Sequence, residues 1–230
     1  MLAAAQFTPL FGAILICWIF SVCIHEFAHA LAAYWGGDKS VVQKGYLYFN
    51  LFAYVHPVYS IVIPCVFLMM GSLPLPGGAV YVDRHALRGK HWATIVSAAG
   101  PASNFILFLI LVVLVHPAAG LIDPDSPSQP AWAVVLGAIC VLELWSVLFN
   151  LIPVPPFDGF GIVEPYLAPD VQQKLRPLGM SPLIVVYFLF SADPVMDAFM
   201  NTCDTILNWF DLPWNSTWRA YNIAFFGSSE

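Results

Sequence analysis

The sequence predicts an all-α integral membrane protein, a polytopic helical bundle of about four to six membrane segments with a short β-like or re-entrant region after the first helix. Of its 230 residues, 60% are hydrophobic and 10% are charged, and the mean hydropathy is +0.77. These values lie outside the range of soluble globular domains. No polar stretch is long enough to fold separately, so we expect one membrane-embedded domain over 1–230, with its core at 9–164 and C-terminal helices and an interfacial tail at 165–230.

The first apolar run, from about 9 to 35, is long enough to cross a hydrocarbon layer of roughly 30 Å. The residues before it lack the positive charge of a signal peptide, so we expect this helix to be retained. Residues 41–49 mix β-branched and aromatic side chains around Gly45, a composition typical of a short strand or hairpin. The apolar stretch 58–73 is short and contains Pro64, which favours a re-entrant or surface segment covered by protein.

The second half of the chain contains two further clear spans, at about 92–115 and 131–152. Another apolar segment covers 178–190. The stretch near 195–210 is amphipathic, and we expect it to lie at the membrane interface.

The basic residues predict the orientation of the chain. The formal charge of −6 comes from 8 basic and 14 acidic residues, and no Lys/Arg cluster could follow a nucleic-acid backbone, which excludes nucleic acid as a partner. Most basic residues fall in three connections that should share the cytoplasmic side. These residues are Lys39, Lys44, Arg84, Arg88, Lys90, Lys174 and Arg176.

The first span contains the motif His25-Glu26-Phe27-Ala28-His29. Histidines four residues apart project from one face of a helix, so both rings can reach one metal ion. Glu26 is placed to take a proton from an activated water without being a ligand. Ionisable groups in an apolar helix are costly, which indicates a function; the alternative is a structural pair of buried histidines bonded to a glutamate.

A catalytic zinc needs three protein ligands and an open position, and Asp158 is the best candidate for the third ligand. It follows the end of the third span, beside Gly159 and several prolines. An Asp-Gly pair after prolines is also the ordinary signature of a turn, and the membrane histidine motif is what favours the ligand interpretation. Asp123 and Asp125 fall on the opposite side by the charge argument, and Asp83 lies in an exposed basic loop.

Three motifs together resemble the site-2 protease family of intramembrane zinc metalloproteases, in its compact subgroup without a PDZ domain. They are the histidine motif, the run Ala99-Gly100-Pro101-Ala102-Ser103-Asn104, and the run from Asn150 through Pro153, Pro155 and Pro156 to Asp158-Gly159. The likeness covers most of residues 14–164.

The resemblance implies one catalytic Zn²⁺ held by His25, His29 and Asp158, with Glu26 activating the water. It also implies hydrolysis of peptide bonds within or near the transmembrane helices of single-span substrates in the lipid bilayer. Compactness and resemblance point to a bacterial inner membrane, with an organellar membrane as the alternative. The positions of the basic residues place the active site toward the cytoplasmic side.

Four other polar residues are candidates for supporting roles. In the family, Asn150 matches a residue that helps to hold the substrate or its oxyanion, and Asn104 matches a recurrent polar position facing the core. Glu143 occupies a place that is often uncharged; it could support a ligating histidine or hydrogen-bond structurally as a protonated acid. His56 could approach the site from the re-entrant region, or could be a turn or interface residue.

Two other functions fit part of the pattern. A membrane metal-ion transporter would also place histidines and carboxylates in the bilayer, but distributed along a path through both leaflets. A non-catalytic relative that binds membrane proteins would be expected to have lost Glu26 or Asp158, and this chain retains both.

Overall fold

The computed structural model describes residues 9–48, 51–54, 80–121, 130–179 and 181–212, which form helices joined by turns. No strand is present among these residues. The helices are α1 (Pro9–Gly36), α2 (Ser40–Gln43), α3 (Leu51–Tyr54), α4 (Lys90–Val115), α5 (Ala131–Asn150), α6 (Asp158–Val163), α7 (Pro169–Leu175), α8 (Pro182–Phe190) and α9 (Asp193–Trp209). Short 3₁₀ turns lie at Pro117–Ala119, Glu164–Tyr166 and Arg176–Leu178.

Three helices, α1, α4 and α5, are long and apolar enough to cross a membrane, which confirms the prediction of a helical membrane protein and of the three clear spans. The apolar segment 178–190 forms α8, whose nine residues cover about 14 Å and are too short to cross alone. The stretch 58–73 lies outside the described residues. The count of four to six segments therefore stays a prediction.

Helix α1 buries its polar face and exposes apolar side chains. Trp18, His25 and His29 recur at the spacing of one helix face and are buried, whereas Ile16 and Phe20 are 70% and 57% exposed. Helix α4 likewise exposes several large apolar residues. These are Phe105, Ile106, Ile110 and Val113. Exposed apolar faces around a partly polar interior suit a lipid surrounding, where only the interior can satisfy polar groups.

Helix α4 packs against α1, α5 and α6, and α5 is the most enclosed of the three long helices. The C-terminal helices close over α5 through an aromatic cluster of Phe149, Phe190 and Phe199, whose ring centroids lie 4.8, 5.0 and 5.4 Å apart. Helix α9 contributes Cys203 and Leu207 to this core. The amphipathic stretch predicted at 195–210 is thus a helix, and its placement at the interface stays a prediction.

The strand predicted at 41–49 is wrong over residues 41–48, where the chain forms α2 and a series of turns. Gly45 has φ +79°, and the N–H groups of Gly45 and Tyr46 donate to the carbonyls of Val42 and Val41, 3.0 Å each. This pairing is the Schellman arrangement that ends a helix at a left-handed glycine. A glycine among β-branched residues suggested a strand, but its conformation makes it a helix stop.

Asp38 initiates this helical turn and ties it to the segment before α4. Its carboxylate accepts the Ser40 N–H at 2.9 Å and the Asp83 N–H at 2.7 Å. The Lys44 ammonium donates to the Tyr81 carbonyl at 2.7 Å, and the Arg88 N–H donates to the Gly36 carbonyl at 2.9 Å. The segment 80–89 is therefore docked against the C-terminal end of α1.

Substitutions at Gly45 distinguish the helix stop from a strand. We expect Gly45→Ala to destabilise the protein by about 1 kcal/mol and Gly45→Val by more, because both side chains disfavour positive φ. Gly45→Asn should be tolerated best, since Asn enters the left-handed region most easily. Thermal unfolding of the purified protein in detergent measures the order; a strand would instead make the valine variant the most stable.

Candidate metal centre

Two histidines and one aspartate converge at the inner face of α1. The Nε2 atoms of His25 and His29 lie 3.0 Å apart, and Asp158 Oδ2 lies 3.1 Å from the first and 3.3 Å from the second. Both histidines are buried, at 8% exposure. Among the described residues, this is the one group of three side chains that could hold a metal ion. The structure thus brings together the three residues predicted as ligands.

Helix α4 orients both imidazole rings. His29 Nδ1 lies 2.6 Å from the Val96 carbonyl, which can only accept, so the proton is on Nδ1. His25 Nδ1 lies 2.8 Å from Asn104 Oδ1 and donates to it. With both Nδ1 atoms used as donors, the Nε2 atoms point toward Asp158 and are the nitrogens left to bind an ion. Such bonds set the tautomer and direction of metal-binding histidines.

Asp158 is the first residue of α6, reached from the end of α5 by a tight turn. The turn is closed by bonds from the Val154 N–H to the Ile152 carbonyl, 2.9 Å, and from the Phe157 N–H to the Val154 carbonyl, 3.0 Å. Gly159 packs so closely on this turn that a Cβ there would lie 2.3 Å from the Leu151 carbonyl oxygen. The Asp-Gly pair therefore begins the helix directly after the turn, with Gly159 packed on the turn and Asp158 free to act as a candidate ligand.

The electrostatic surroundings keep the Asp158 carboxyl ionised. Burial opposes the charge, but the His29 and His25 rings beside it, when they carry protons and no ion is bound, hold the pKa of Asp158 well below its usual range. A carboxylate with two neutral imidazoles is a donor set suited to a divalent ion.

The spacing of the three donor atoms also fits one ion. A tetrahedral site with metal–ligand distances of about 2.1 Å separates its ligands by about 3.4 Å. The observed separations of 3.0, 3.1 and 3.3 Å are close to that edge length. Three protein donors leave one tetrahedral position for water or substrate.

Gly100 leaves room for the imidazole nitrogens that face the candidate ion site. The sequence alone assigned Gly100 no separate role. A Cβ at Gly100 would lie 2.3 Å from His29 Nε2 and 2.6 Å from His25 Nε2. Pro101, which follows, has no N–H to donate to the Ser97 carbonyl one turn earlier in α4. The feature of the sequence that could have indicated this role is the Gly-Pro pair inside an apolar helix, because both residues lower helix stability.

Glu26 is 5% exposed, and His25, His29 and Asp158 are the charged groups near it. The backbone N–H of Val80 faces the Glu26 carboxylate. The docked segment 80–89 thus reaches the predicted catalytic carboxylate.

The other predicted site residues have different positions. The carboxamide oxygen of Asn104 accepts a hydrogen bond from His25 Nδ1, so Asn104 contacts a candidate ligand and not the ion itself. Asn150 ends α5 at 6% exposure, and its Nδ2 makes no hydrogen bond to any described residue. Glu143 is fully buried on α5 near Asn104. His56 lies outside the described residues.

An ion cluster that was not predicted holds α6 in place. Glu164, 2% exposed, pairs with Arg84 from the segment before α4 and with Arg176 after α7. Close packing adds to this, because a Cβ at Gly161 would lie 2.4 Å from Ser97 Oγ. The cluster joins distant parts of the sequence to the helix that begins at Asp158.

Comparison with known proteins assigns the family. Over 178 residues, 75% of this chain and 77% of the relative, the sequence is 33% identical to the "Putative zinc metalloprotease YwhC" of Bacillus subtilis (strain 168). The chain belongs to the site-2 protease family. No family model matches the sequence, and no solved structure matches it.

Two mycobacterial members of this family are similar over the same length. The sequence is 35% identical over 175 residues to the protein named "Putative zinc metalloprotease Rip2" of Mycolicibacterium smegmatis, and 36% identical over 175 residues to that of Mycobacterium tuberculosis H37Rv. The matches cover 75% and 76% of this chain, but 64% and 65% of those relatives. The chain thus spans somewhat less than two thirds of the Rip2 proteins.

We expect Gly100→Ala to weaken metal binding about tenfold or more, because the added methyl group displaces the imidazole nitrogens. Competition between the purified protein and a chelator for Zn²⁺ or Co²⁺ measures this. Gly12→Ala in α1, where a Cβ meets nothing within 4 Å, is the matched control and should bind normally. Equal affinity in both variants would contradict the proposed role of Gly100.

The Glu164 cluster predicts a pH-dependent stability. Burial would raise the pKa of Glu164, but Arg176 and Arg84 hold it below its usual value, so its stabilising effect is present above the unfolded pKa of about 4.3. This effect is lost as the pH falls through the lower folded pKa. We therefore expect Glu164→Gln to lower the melting temperature at pH 7, with the difference from the parent narrowing below about pH 4.

The matched control for Glu164 is Asp170→Asn, an exposed carboxylate on α7. It should melt like the parent at every pH. A difference between Glu164→Gln and the parent that stays constant from pH 7 to pH 3 would mean that the cluster acts by packing and not by charge.

Proposed function

We propose that this protein is a zinc-dependent intramembrane protease that hydrolyses peptide bonds within or near the transmembrane helices of membrane-protein substrates. The observation that carries the proposal is the convergence of Asp158 with His25 and His29, which flank Glu26 in an apolar helix. The names of its relatives, which describe zinc metalloproteases, support the same reading.

His25, His29 and Asp158 would hold the zinc. Bound there, it would supply Lewis-acid polarisation of the scissile carbonyl and make a water acidic enough to attack near pH 7. Glu26 takes the proton of the attacking water and returns it to the leaving amine. The Val80 N–H, which faces the Glu26 carboxylate, would help to orient it.

Asn150 is the proposed donor to the substrate carbonyl. Its Nδ2 is sealed from solvent and bonds to no described residue, which is costly unless a further partner is supplied. A peptide carbonyl that becomes more negative as water adds to it is such a partner, and the bond would strengthen in the transition state. Asn104, already bonded to His25, is assigned to support the ligand instead.

The depth of the site supports substrates within the membrane. His25 lies 16 residues after Pro9 and 11 residues before Gly36, or about 24 and 16 Å from the two ends of α1. A substrate helix hides its carbonyls in hydrogen bonds, so it must unwind locally before attack. Single-span proteins, which can approach laterally through the lipid, are therefore the proposed partners.

The proposed orientation places this end of α1 in the cytoplasmic half of the membrane, as in a bacterial inner membrane. Lys39, Lys44, Arg84 and Arg88 lie on the segments that cap α1, and the segments bond to each other. Basic residues at one end of a membrane bundle favour the cytoplasmic side.

A metal-ion transporter is the second candidate. It would need polar ligands along a path through both leaflets, whereas among the described residues a single group of candidate ligands is present, at one depth. Helix α5 carries another buried carboxyl group, that of Glu143, but this group lies beside the same candidate metal centre. The protease remains the function that the geometry favours.

The role of Glu26 predicts a separation of binding from cleavage. We expect Glu26→Gln to keep its zinc and lose cleavage of single-span substrates by about 10²- to 10⁴-fold, because the proton acceptor is gone. Asp158→Ala should lose both zinc and cleavage, since a ligand is removed. Metal analysis and substrate cleavage in proteoliposomes measure the two quantities together.

Asp170→Asn is the control and should cleave like the parent, because Asp170 is exposed on α7. Undiminished cleavage by Glu26→Gln would contradict the assigned role of Glu26. Zinc flux into proteoliposomes without any cleavage would favour the transporter.

A further inference from the structure

A further carboxyl group, Glu143, lies beside the metal centre without belonging to it. The side chain is 0% exposed at the middle of α5. Neither carboxyl oxygen makes a hydrogen bond of normal geometry to a described residue. A buried polar group in this state destabilises the fold, so its presence calls for a physical explanation.

The polar neighbours of Glu143 come from the other two long helices. They are Ser21 and His25 on α1 and Asn104 on α4. Ser21 is 3% exposed, and its hydroxyl also lacks a hydrogen-bond partner among the described residues. The carboxyl group therefore faces the pair formed by Asn104 and His25.

This position constrains the Asn104 carboxamide. Its oxygen accepts the His25 Nδ1–H, so its NH₂ group is the side left to face other partners. A carboxyl group keeps at least one acceptor oxygen whether or not it carries a proton. If the Asn104 amide were flipped, its oxygen would face the Glu143 carboxyl oxygen and its NH₂ group would face the His25 Nδ1–H. Both contacts of the flipped form would be repulsive.

We propose that Glu143 is a positioning residue of the metal centre, which keeps the Asn104 amide oriented so that His25 presents Nε2 to the ion. This inference rests on the proposed metal function and adds a residue to it. The route is indirect: Glu143 orients Asn104, and Asn104 orients the His25 ring. Its effect should therefore appear in metal affinity before any substrate is present.

Two substitutions separate positioning from a structural role. Glu143→Leu removes the acceptors but fills the same apolar space, so we expect the melting temperature to stay equal or rise. Zinc affinity should nevertheless fall about tenfold or more, as for other groups that orient ligands. Glu143→Gln keeps one acceptor oxygen and should lose less. Leu144→Ala, the buried neighbour on α5, should lower the melting temperature and leave zinc affinity unchanged.

The measurement is competition with a chelator for Zn²⁺, together with the visible spectrum of the Co²⁺-loaded protein, on the full chain in detergent. A double-mutant cycle tests the route: in an Asn104→Ala background, Glu143→Leu should cause no further loss of affinity. Unchanged zinc affinity in Glu143→Leu would overturn the proposal, and so would an equal loss in both backgrounds. If the parent binds zinc but cleaves nothing, the protease function fails while this inference is still tested by the same affinities.

Discussion

The centre depends on the bonds by which α4 holds the two histidines of α1. The Val96 carbonyl and the Asn104 carboxamide accept from the Nδ1 atoms, and the Nε2 atoms then meet at 3.0 Å. Without these bonds, adjacent rings on one helix face could rotate away from each other. Since α4 also packs on α6, the same helix sets the distance from the histidines to Asp158.

Charge is segregated within this apolar molecule. The metal centre keeps its polar groups inside the bundle, whereas Glu164 and its two arginines lie where the chain leaves it. The first arrangement, two imidazoles beside carboxylates, is one that a single cation could satisfy. The second is already neutralised by guanidinium groups, and it fastens the helix that begins at Asp158 to the segment that reaches Glu26. The candidate metal centre and the structural support of α6 thus depend on separate clusters of polar groups.

The error over residues 41–48 shows how local composition misleads. Val41, Val42 and Tyr46 favour a strand in the average protein. Here Asp38 accepts the Ser40 N–H at the start, and Gly45 takes positive φ at the end, so the backbone closes into a single helical turn. Asp38 also receives the Asp83 N–H, 45 residues further on, a contact that no local pattern contains.

The histidine motif, its glutamate, the aspartate after the prolines and the three long spans were all readable from the residues, because their chemistry depends on helical spacing and hydrophobicity. The parts that complete the centre were not. Gly100, the Val96 carbonyl and the orientation of Asn104 matter because three helices meet, with partners 67 and 79 residues apart in the chain. A backbone carbonyl or a missing Cβ leaves almost no trace in a sequence, since its role exists only once neighbouring helices are packed against it.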